Sequence, residues 1–237
     1  MKNLFLFLLP AFLSVGCAQT LTPEALIQKS IQYHDPNGNW EQSDLLLSIR
    51  QERPDTNAPT VSYVHINNKN GNFELTKMVP GGIILQGVQD GQCIQKYNGE
   101  PAPDDIAEKY RLSCERSTLF RNYYTYLYGL PMKLRDPGTH YGPVLEMPFQ
   151  GQDYYAIRVT YDEAVGKDIW YFFFDKENYA LRGYKFHKDE SKNDGEYITL
   201  EGEEIANGIR IPKKRAWYYN QDGKYLGTDL LVTAKSF

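Results

Sequence analysis

Short apolar runs separated by turn residues cover most of the chain. Within several of them apolar and polar side chains alternate; Tyr155, Ile157 and Val159, for example, fall on one face of a strand. A period of two is typical of β-strands, and Asn-Gly or Asp-Gly pairs between such runs indicate hairpins. The pattern predicts about 11 strands, at residues 45–50, 61–67, 72–78, 83–88, 93–97, 154–161, 169–175, 180–187, 197–204, 209–219 and 225–234.

Two segments instead have helical signals. Thr22 and Pro23 form a helix start, apolar residues recur at helical spacing up to His34, and a turn follows at residues 35–38. We expect Trp40 to pack back onto this helix. A second helical segment is predicted at about residues 104–130, with its main helix starting at Ser117, and residues 132–148, which are rich in proline and glycine, are predicted to form a loop.

These elements predict one mainly β (α+β) domain over residues 19–237. Strands and helices do not alternate, so a parallel sheet is not expected. Residues 169–174 are apolar on both faces, which indicates a strand covered twice. We expect one face of this strand to lie against helices or a ligand cavity, although an ordinary core strand gives the same pattern.

The first 18 residues have the features of a secretory signal. Lys2 precedes an apolar run, and small residues follow at Ser14, Gly16 and Ala18. The run is shorter than the roughly 20 apolar residues that cross a bilayer. We therefore expect an exported protein, with the periplasm as its location.

The same residues allow two processing routes. A signal peptidase that cuts after Ala18 would release a free protein, whereas residues 14–17 resemble a loose lipobox in which Cys17 becomes lipidated. The helix signal at Thr22 leaves little room for the usual flexible tether, which favours ordinary cleavage. An outer-membrane lipoprotein remains the alternative.

Cysteine usage and charge add to this picture. Export leaves Cys93 and Cys114, which an oxidising compartment allows to pair, although two small buried side chains are the alternative. Loss of residues 1–18 removes Lys2 from 26 basic and 30 acidic residues, so the net charge changes from −4 to −5. This mildly acidic balance does not favour nucleic acid as a partner.

Known catalytic motifs are absent from the sequence. It contains no G-x-S-x-G, S-x-x-K, H-E-x-x-H or phosphate-binding glycine motif. The four histidines, His34, His65, His140 and His187, are far apart, and no metal site or cofactor is expected. We therefore predict that the protein is not an enzyme.

Several segments resemble an uncharacterised family of exported Gram-negative envelope proteins. They are residues 31–40, 209–212, 225–229 and, most specifically, 126–138, which begin Tyr-Leu-Tyr-Gly-Leu-Pro-Met-Lys. More distantly, the order of elements is similar to the LolA/LolB-like lipoprotein carriers. That resemblance implies a strongly curved antiparallel sheet or unclosed barrel, with helices covering its concave face and apolar ligands binding between them.

This resemblance leads to two hypotheses. The first is a non-enzymatic carrier for a lipid or other apolar ligand, which associates with the outer membrane or an envelope protein. The alternative is a protein-interaction module without a ligand cavity. For the carrier, the expected lining residues are Tyr123, Leu127, Trp170, Phe172 and Phe174.

Overall fold

The computed structural model of the chain describes residues 20–56 and 58–237. Within them lie three α-helices, α1 (Pro23–His34), α2 (Asp104–Tyr110) and α3 (Cys114–Tyr128). Short 3-10 turns follow α1 at Trp40–Gln42 and α3 at Met132–Arg135. In this described part of the chain, none of the helices has the length and apolar character that a membrane crossing requires.

The described residues also contain thirteen strands, which form one antiparallel sheet. The strands are β1 (Asp44–Glu52), β2 (Thr60–Asn67), β3 (Asn72–Val79), β4 (Gly82–Gln89), β5 (Gln92–Tyr97), β6 (Glu100–Pro101), β7 (Thr139–Phe149), β8 (Gln152–Tyr161), β9 (Ile169–Phe174), β10 (Leu181–His187), β11 (Glu196–Ala206), β12 (Ile209–Tyr219) and β13 (Tyr225–Ser236).

The sheet consists of two meanders joined in the middle. Its order is β6-β5-β4-β3-β2-β1-β13-β12-β11-β10-β9-β8-β7, so the first and last long strands pair with each other. The outermost strands, β6 and β7, do not pair, and the curved sheet is not closed. The predicted fold class is confirmed, with thirteen strands instead of about 11.

The main difference from prediction is β7. Residues 132–148 were expected to form a loop, but most of them belong to this 11-residue edge strand. A central strand forms hydrogen bonds to a neighbour on each side, and proline has no N–H to donate to either. An edge strand has a neighbour on one side only, so a proline whose nitrogen points to the open side removes no hydrogen bond of the sheet. Pro143 lies in an irregularity of the ladder between Tyr141 and Val144, and Pro148 pairs with Asp153 of β8. The edge position therefore accommodates residues that otherwise indicate a loop.

The predicted N-terminal helix is confirmed. The Thr22 side chain accepts a hydrogen bond from the backbone N–H of Ala25 at 3.2 Å, and Pro23 occupies the first turn. Its apolar face buries Leu26 and Ile27, and Trp40 belongs to the same core. The cap sets the residue at which the helix begins, and the apolar residues that follow at helical spacing then lie on the face that packs against the core.

Helix α3 packs against β2 to β5 and, together with α1, covers the inner face of the sheet. It begins at Cys114, three residues before the predicted Ser117, because Ser113 caps it by accepting from the Arg116 N–H at 3.2 Å. Its buried side chains include Tyr124 and Tyr128. Both α1 and α3 contribute to one large core on the inner face of the sheet.

Strand β9 is buried on both faces, as its sequence predicts. Phe172 and Phe174 belong to the inner core, whereas Phe173 lies in a smaller cluster on the outer face. There the ring of Phe149 stacks on Phe173 with a centroid separation of 4.2 Å. The outer cover of β9 is therefore an aromatic side chain from the β7–β8 turn.

Candidate functional site

A cleft of about 730 Å³ opens at one end of the sheet. Its walls come from four segments: the β2–β3 turn, the exposed side of α3, the 3-10 turn that follows α3, and the loop between β8 and β9 with the strand ends beside it. These segments belong to opposite halves of the strand order, so curvature of the sheet brings them together. The cleft lies where the helical cover ends, beside the main core.

Aromatic side chains form one wall of this cleft. Trp170 of β9 packs against Tyr126 of α3, with centroids 5.8 Å apart and planes at 60°, and Tyr161 contacts Tyr126 from the end of β8. Leu119 and Val165 add apolar surface and are each 58% exposed. Such a wall suits an apolar ligand, because burying its surface releases water.

The hydroxyl groups of Tyr126 and Tyr161 form a hydrogen bond with each other. Burial raises the pKa of both hydroxyls above the ordinary value, and the nearby Asp136 carboxylate raises them further. Both tyrosines therefore remain protonated at neutral pH. The aromatic wall thus carries polar atoms that donate hydrogen bonds without carrying charge.

The charged residues around the cleft are balanced. Arg121 and Lys133 carry positive charge, and Asp136 and Asp168 carry negative charge, so their formal sum is zero. The Lys133 ammonium forms an ion pair with Asp136. Arg121 donates from Nε to the Asn122 amide oxygen at 3.4 Å in an exposed position.

Asparagines at the β2–β3 side of the cleft mainly hold the turns. Asn67 donates to the Asp44 carboxylate at 2.6 Å, and Asn72 accepts from the Asp90 N–H at 2.8 Å. Their polar groups are therefore largely occupied. Across residues 20–56 and 58–237, no three His, Cys, Asp or Glu side chains form a group suited to a metal ion.

The five side chains expected to line a ligand site fall into two groups. Tyr123 and Trp170 line the cleft, and Tyr123 is 40% exposed. Leu127, Phe172 and Phe174 are instead buried in the inner core and do not line it. Alternation places Trp170, Phe172 and Phe174 on the same face, but the helices cover the two phenylalanines more deeply.

Tyr126 and Tyr161 line the cleft but are not among the five side chains expected to do so. Tyr126 belongs to the tyrosine-rich part of α3, and Tyr161 ends an alternating strand. They are 35 residues apart, and only the packing of α3 over the sheet joins them. No local motif in the sequence indicates this contact.

The two cysteines of the domain are joined in the structure. Cys93 of β5 and Cys114 at the start of α3 form a disulfide with Cα atoms 5.3 Å apart. The bond attaches the helical cover to the sheet next to its short edge strand. Cys17 and the cleavage position after Ala18 lie outside the described residues.

Known structures share this architecture. A crystal structure of a LolA superfamily protein from Nitrosomonas europaea is 14% identical, with a TM-score of 0.52 over 91% of this chain and 94% of that one. A DUF1329 family protein from Desulfovibrio piger is 11% identical, also with a TM-score of 0.52, over 90% and 92% of the two chains. The class is therefore the LolA-like fold, an open curved sheet covered by helices.

The family follows from a separate comparison. The chain belongs to DUF6503, a family of unknown function whose model matches residues 2–234. No curated protein matches the chain. The structural likenesses show the fold, and the function has to be argued from the cleft.

Proposed function

We propose that this protein is a non-enzymatic envelope protein that binds or carries an apolar or lipid-like ligand in the cleft. The observation that carries the proposal is the aromatic wall of Tyr123, Tyr126, Tyr161 and Trp170 around about 730 Å³. Ligand pockets commonly measure about 300–1,000 Å³ and are mainly apolar with a few polar groups. The cleft has both properties.

The energy of binding would come from burial of alkyl surface. Each buried methylene contributes about 0.8 kcal/mol, so eight of them contribute about 6 kcal/mol before the entropic cost of association. Leu119 and Val165 at the mouth extend the apolar surface beyond the aromatic wall. The structural likeness to a LolA superfamily protein supports this kind of ligand by analogy of fold alone.

The carrier proposal includes export to the periplasm by residues 1–18, with lipidation at Cys17 as the alternative. Ordinary cleavage after Ala18 would give a free carrier, and lipidation would give a membrane-attached acceptor. The intact mass of the mature protein from its native host distinguishes them. A mass that matches a chain starting at Gln19 supports the free form, and an acylated Cys17 contradicts it.

Ligand binding is tested with a pair of equally exposed positions. Leu119 lines the cleft and Ile205 lies on β11 outside it, and each is 58% exposed. We expect Leu119→Glu to weaken binding of a fluorescent fatty-acyl probe about tenfold, which corresponds to about 1.4 kcal/mol, because a carboxylate would face the acyl chain. Ile205→Glu is expected to bind as the unchanged protein does.

The native ligand is identified by extraction. Protein purified from its own envelope is treated with organic solvent, and the extract is analysed by mass spectrometry. Co-purified lipid that is reduced in Leu119→Glu supports the proposal. Absence of lipid in the extract together with no binding of the acyl probe rejects it.

One observation favours the alternative, a protein-interaction module. Met78 and Ile83 face each other across β3 and β4 and are 71% and 47% exposed. Apolar side chains paired in solvent are typical of contact surfaces. If this surface is the functional one, Met78→Lys with Ile83→Lys abolishes capture of an envelope protein by cross-linking, and Leu119→Glu leaves it unchanged.

A further inference from the structure

The hydroxyl pair of Tyr126 and Tyr161 has one hydrogen-bond donor left over after the two groups bond to each other. Two protonated hydroxyls hold two protons, and the bond between them uses one. Within residues 20–56 and 58–237, neither hydroxyl has a second hydrogen-bond partner in the protein, so the second proton is available toward the cleft that both side chains line. A ligand oxygen in the cleft would accept this hydrogen bond in place of solvent.

The position of the pair limits where that oxygen lies. Tyr126 and Tyr161 both line the cleft, with ring centroids 6.3 Å apart and planes at 76°. Trp170 lies against Tyr126 and offers an apolar surface next to the hydroxyls. A ligand that places an acceptor at the pair therefore lays its apolar part along Trp170.

The charges around the pair decide which acceptor is suitable. Asp136 acts on both tyrosines as a negative charge, and its ion pair already occupies the Lys133 ammonium. Arg121 forms its bond at the exposed mouth, where solvent screens charge. A carboxylate at the pair would lose its hydration without gaining a buried cation, whereas an uncharged carbonyl loses much less.

We infer that the Tyr126–Tyr161 pair recognises the carbonyl oxygen of an uncharged acyl ester or amide. The cleft then selects neutral acyl esters and amides over free fatty acids. This specificity rests on the proposed function, since it assigns a ligand class to the same cleft. It also gives the pair the role of a hydrogen-bond donor toward the ligand.

Three probes with the same chain separate the contributions. Methyl decanoate has the ester carbonyl, methyl decyl ether has the same shape without it, and decanoate has a charged carboxylate. Binding to the mature protein is measured at pH 7.5 by titration calorimetry, with quenching of tryptophan fluorescence as a second readout. We expect methyl decanoate to bind about fivefold more tightly than the ether, as one hydrogen bond allows, and decanoate to bind most weakly.

The decisive variant removes both hydroxyl groups, because either tyrosine alone keeps one O–H that can donate to a ligand. In the double variant Tyr126→Phe/Tyr161→Phe we expect the ester to lose its advantage while the ether binds as before. Tyr154→Phe is the matched control, because the Tyr154 hydroxyl bonds to Gln152 in an exposed position away from the cleft. Thermal unfolding of each variant verifies that it is folded.

The outcomes distinguish this inference from the proposed function. If the ester and the ether bind equally, or if decanoate binds most tightly, the carbonyl assignment is wrong while the carrier proposal stands. Equal weakening of ester and ether in the double variant Tyr126→Phe/Tyr161→Phe also overturns it. If none of the three probes binds to the unchanged protein, the carrier proposal itself fails.

Discussion

The backbone N–H of Leu181 donates a hydrogen bond to Nε2 of His34 over 3.0 Å, although the residues are 147 positions apart. Nδ1 of His34 lies 2.7 Å from the Arg210 carbonyl oxygen and therefore carries the proton of the neutral ring. This buried ring joins α1 to β10 and β12. Burial lowers the pKa of His34 to about 4.

A pH-dependent loss of stability follows from this arrangement. Because the pKa of His34 is lower in the folded state than its ordinary value of 6.5, the unfolded chain binds more protons between pH 6.5 and 4. The contribution of the neutral His34 ring to the free energy of unfolding is complete above pH 6.5 and is lost as the pH falls toward 4. Between pH 7.5 and 5 we expect a loss of about 2 kcal/mol, measured by urea unfolding.

Two variants isolate this effect. His34→Gln is expected to be less stable at pH 7.5 and to lose less further stability down to pH 5. His140→Gln is the control, since the His140 side chain is 60% exposed and pairs with Asp162 at the surface. An unchanged pH dependence in His34→Gln would show that other groups cause it.

Arg215 is predicted to stabilise the contact between α3 and the sheet. It is 1% exposed, its guanidinium lies 4.0 Å from the Tyr128 ring centroid, and it donates to the carbonyls of Leu127 and Pro212 at 3.2 and 3.0 Å. We expect Arg215→Ala to lower the free energy of unfolding by about 3 kcal/mol, because two carbonyls and one ring face lose their partner.

The neighbouring lysine provides the control for Arg215. Lys214 pairs with Glu201 at 3.1 Å in an exposed position, and such pairs contribute about 0–1 kcal/mol. Lys214→Ala is therefore expected to change the urea midpoint only slightly. Similar midpoints for the two variants would contradict the role assigned to Arg215.

The Cys93–Cys114 bond is predicted to stabilise the domain through the loop it closes. The two cysteines are separated by 21 positions, and a loop of this size corresponds to about 3 kcal/mol on the chain-entropy model. The double variant Cys93→Ser/Cys114→Ser should be less stable by this order. Reducing agent should lower the stability of the unchanged protein toward that of the variant, and peptide mapping without reduction should recover the linked pair.

Gly87 is predicted to be intolerant of a side chain. A Cβ atom at this position of β4 would lie 2.0 Å from the Phe73 carbonyl oxygen, which is backbone and cannot turn away. Gly87→Ala should cost about 2 kcal/mol or more. In Gly166→Ala the nearest atoms are 3.9 Å away, so this variant should unfold at nearly the same urea concentration. If both variants behave alike, the close approach at Gly87 is not important.

Local signals predicted most of the fold. Caps, turn pairs and alternation act between neighbours in the chain, and they located α1 and the long strands to within a few residues. Strand β7 was not predicted, because Pro143 and Pro148 are compatible with a strand only at an edge. Whether a strand lies at an edge depends on the order of the whole sheet, which local pattern does not contain.

The site was less predictable than the fold. Strand geometry places Trp170 and Phe172 on the same face, but it does not indicate how far each lies beneath the helices. The sequence also gives no sign that Tyr126 meets Tyr161, since that contact depends on how α3 packs across the sheet. Depth and long-range contact are tertiary properties, and both decide which side chains line the cleft.

The two sides of the cleft are joined through a long series of strands. Between β2 and β9 the sheet order places five others, β1, β13, β12, β11 and β10. Each pairing carries a twist of the same hand, so small changes in twist add from strand to strand. The width of the cleft therefore depends on the summed twist of these strand pairings, and many small changes in twist can alter it without a hinge.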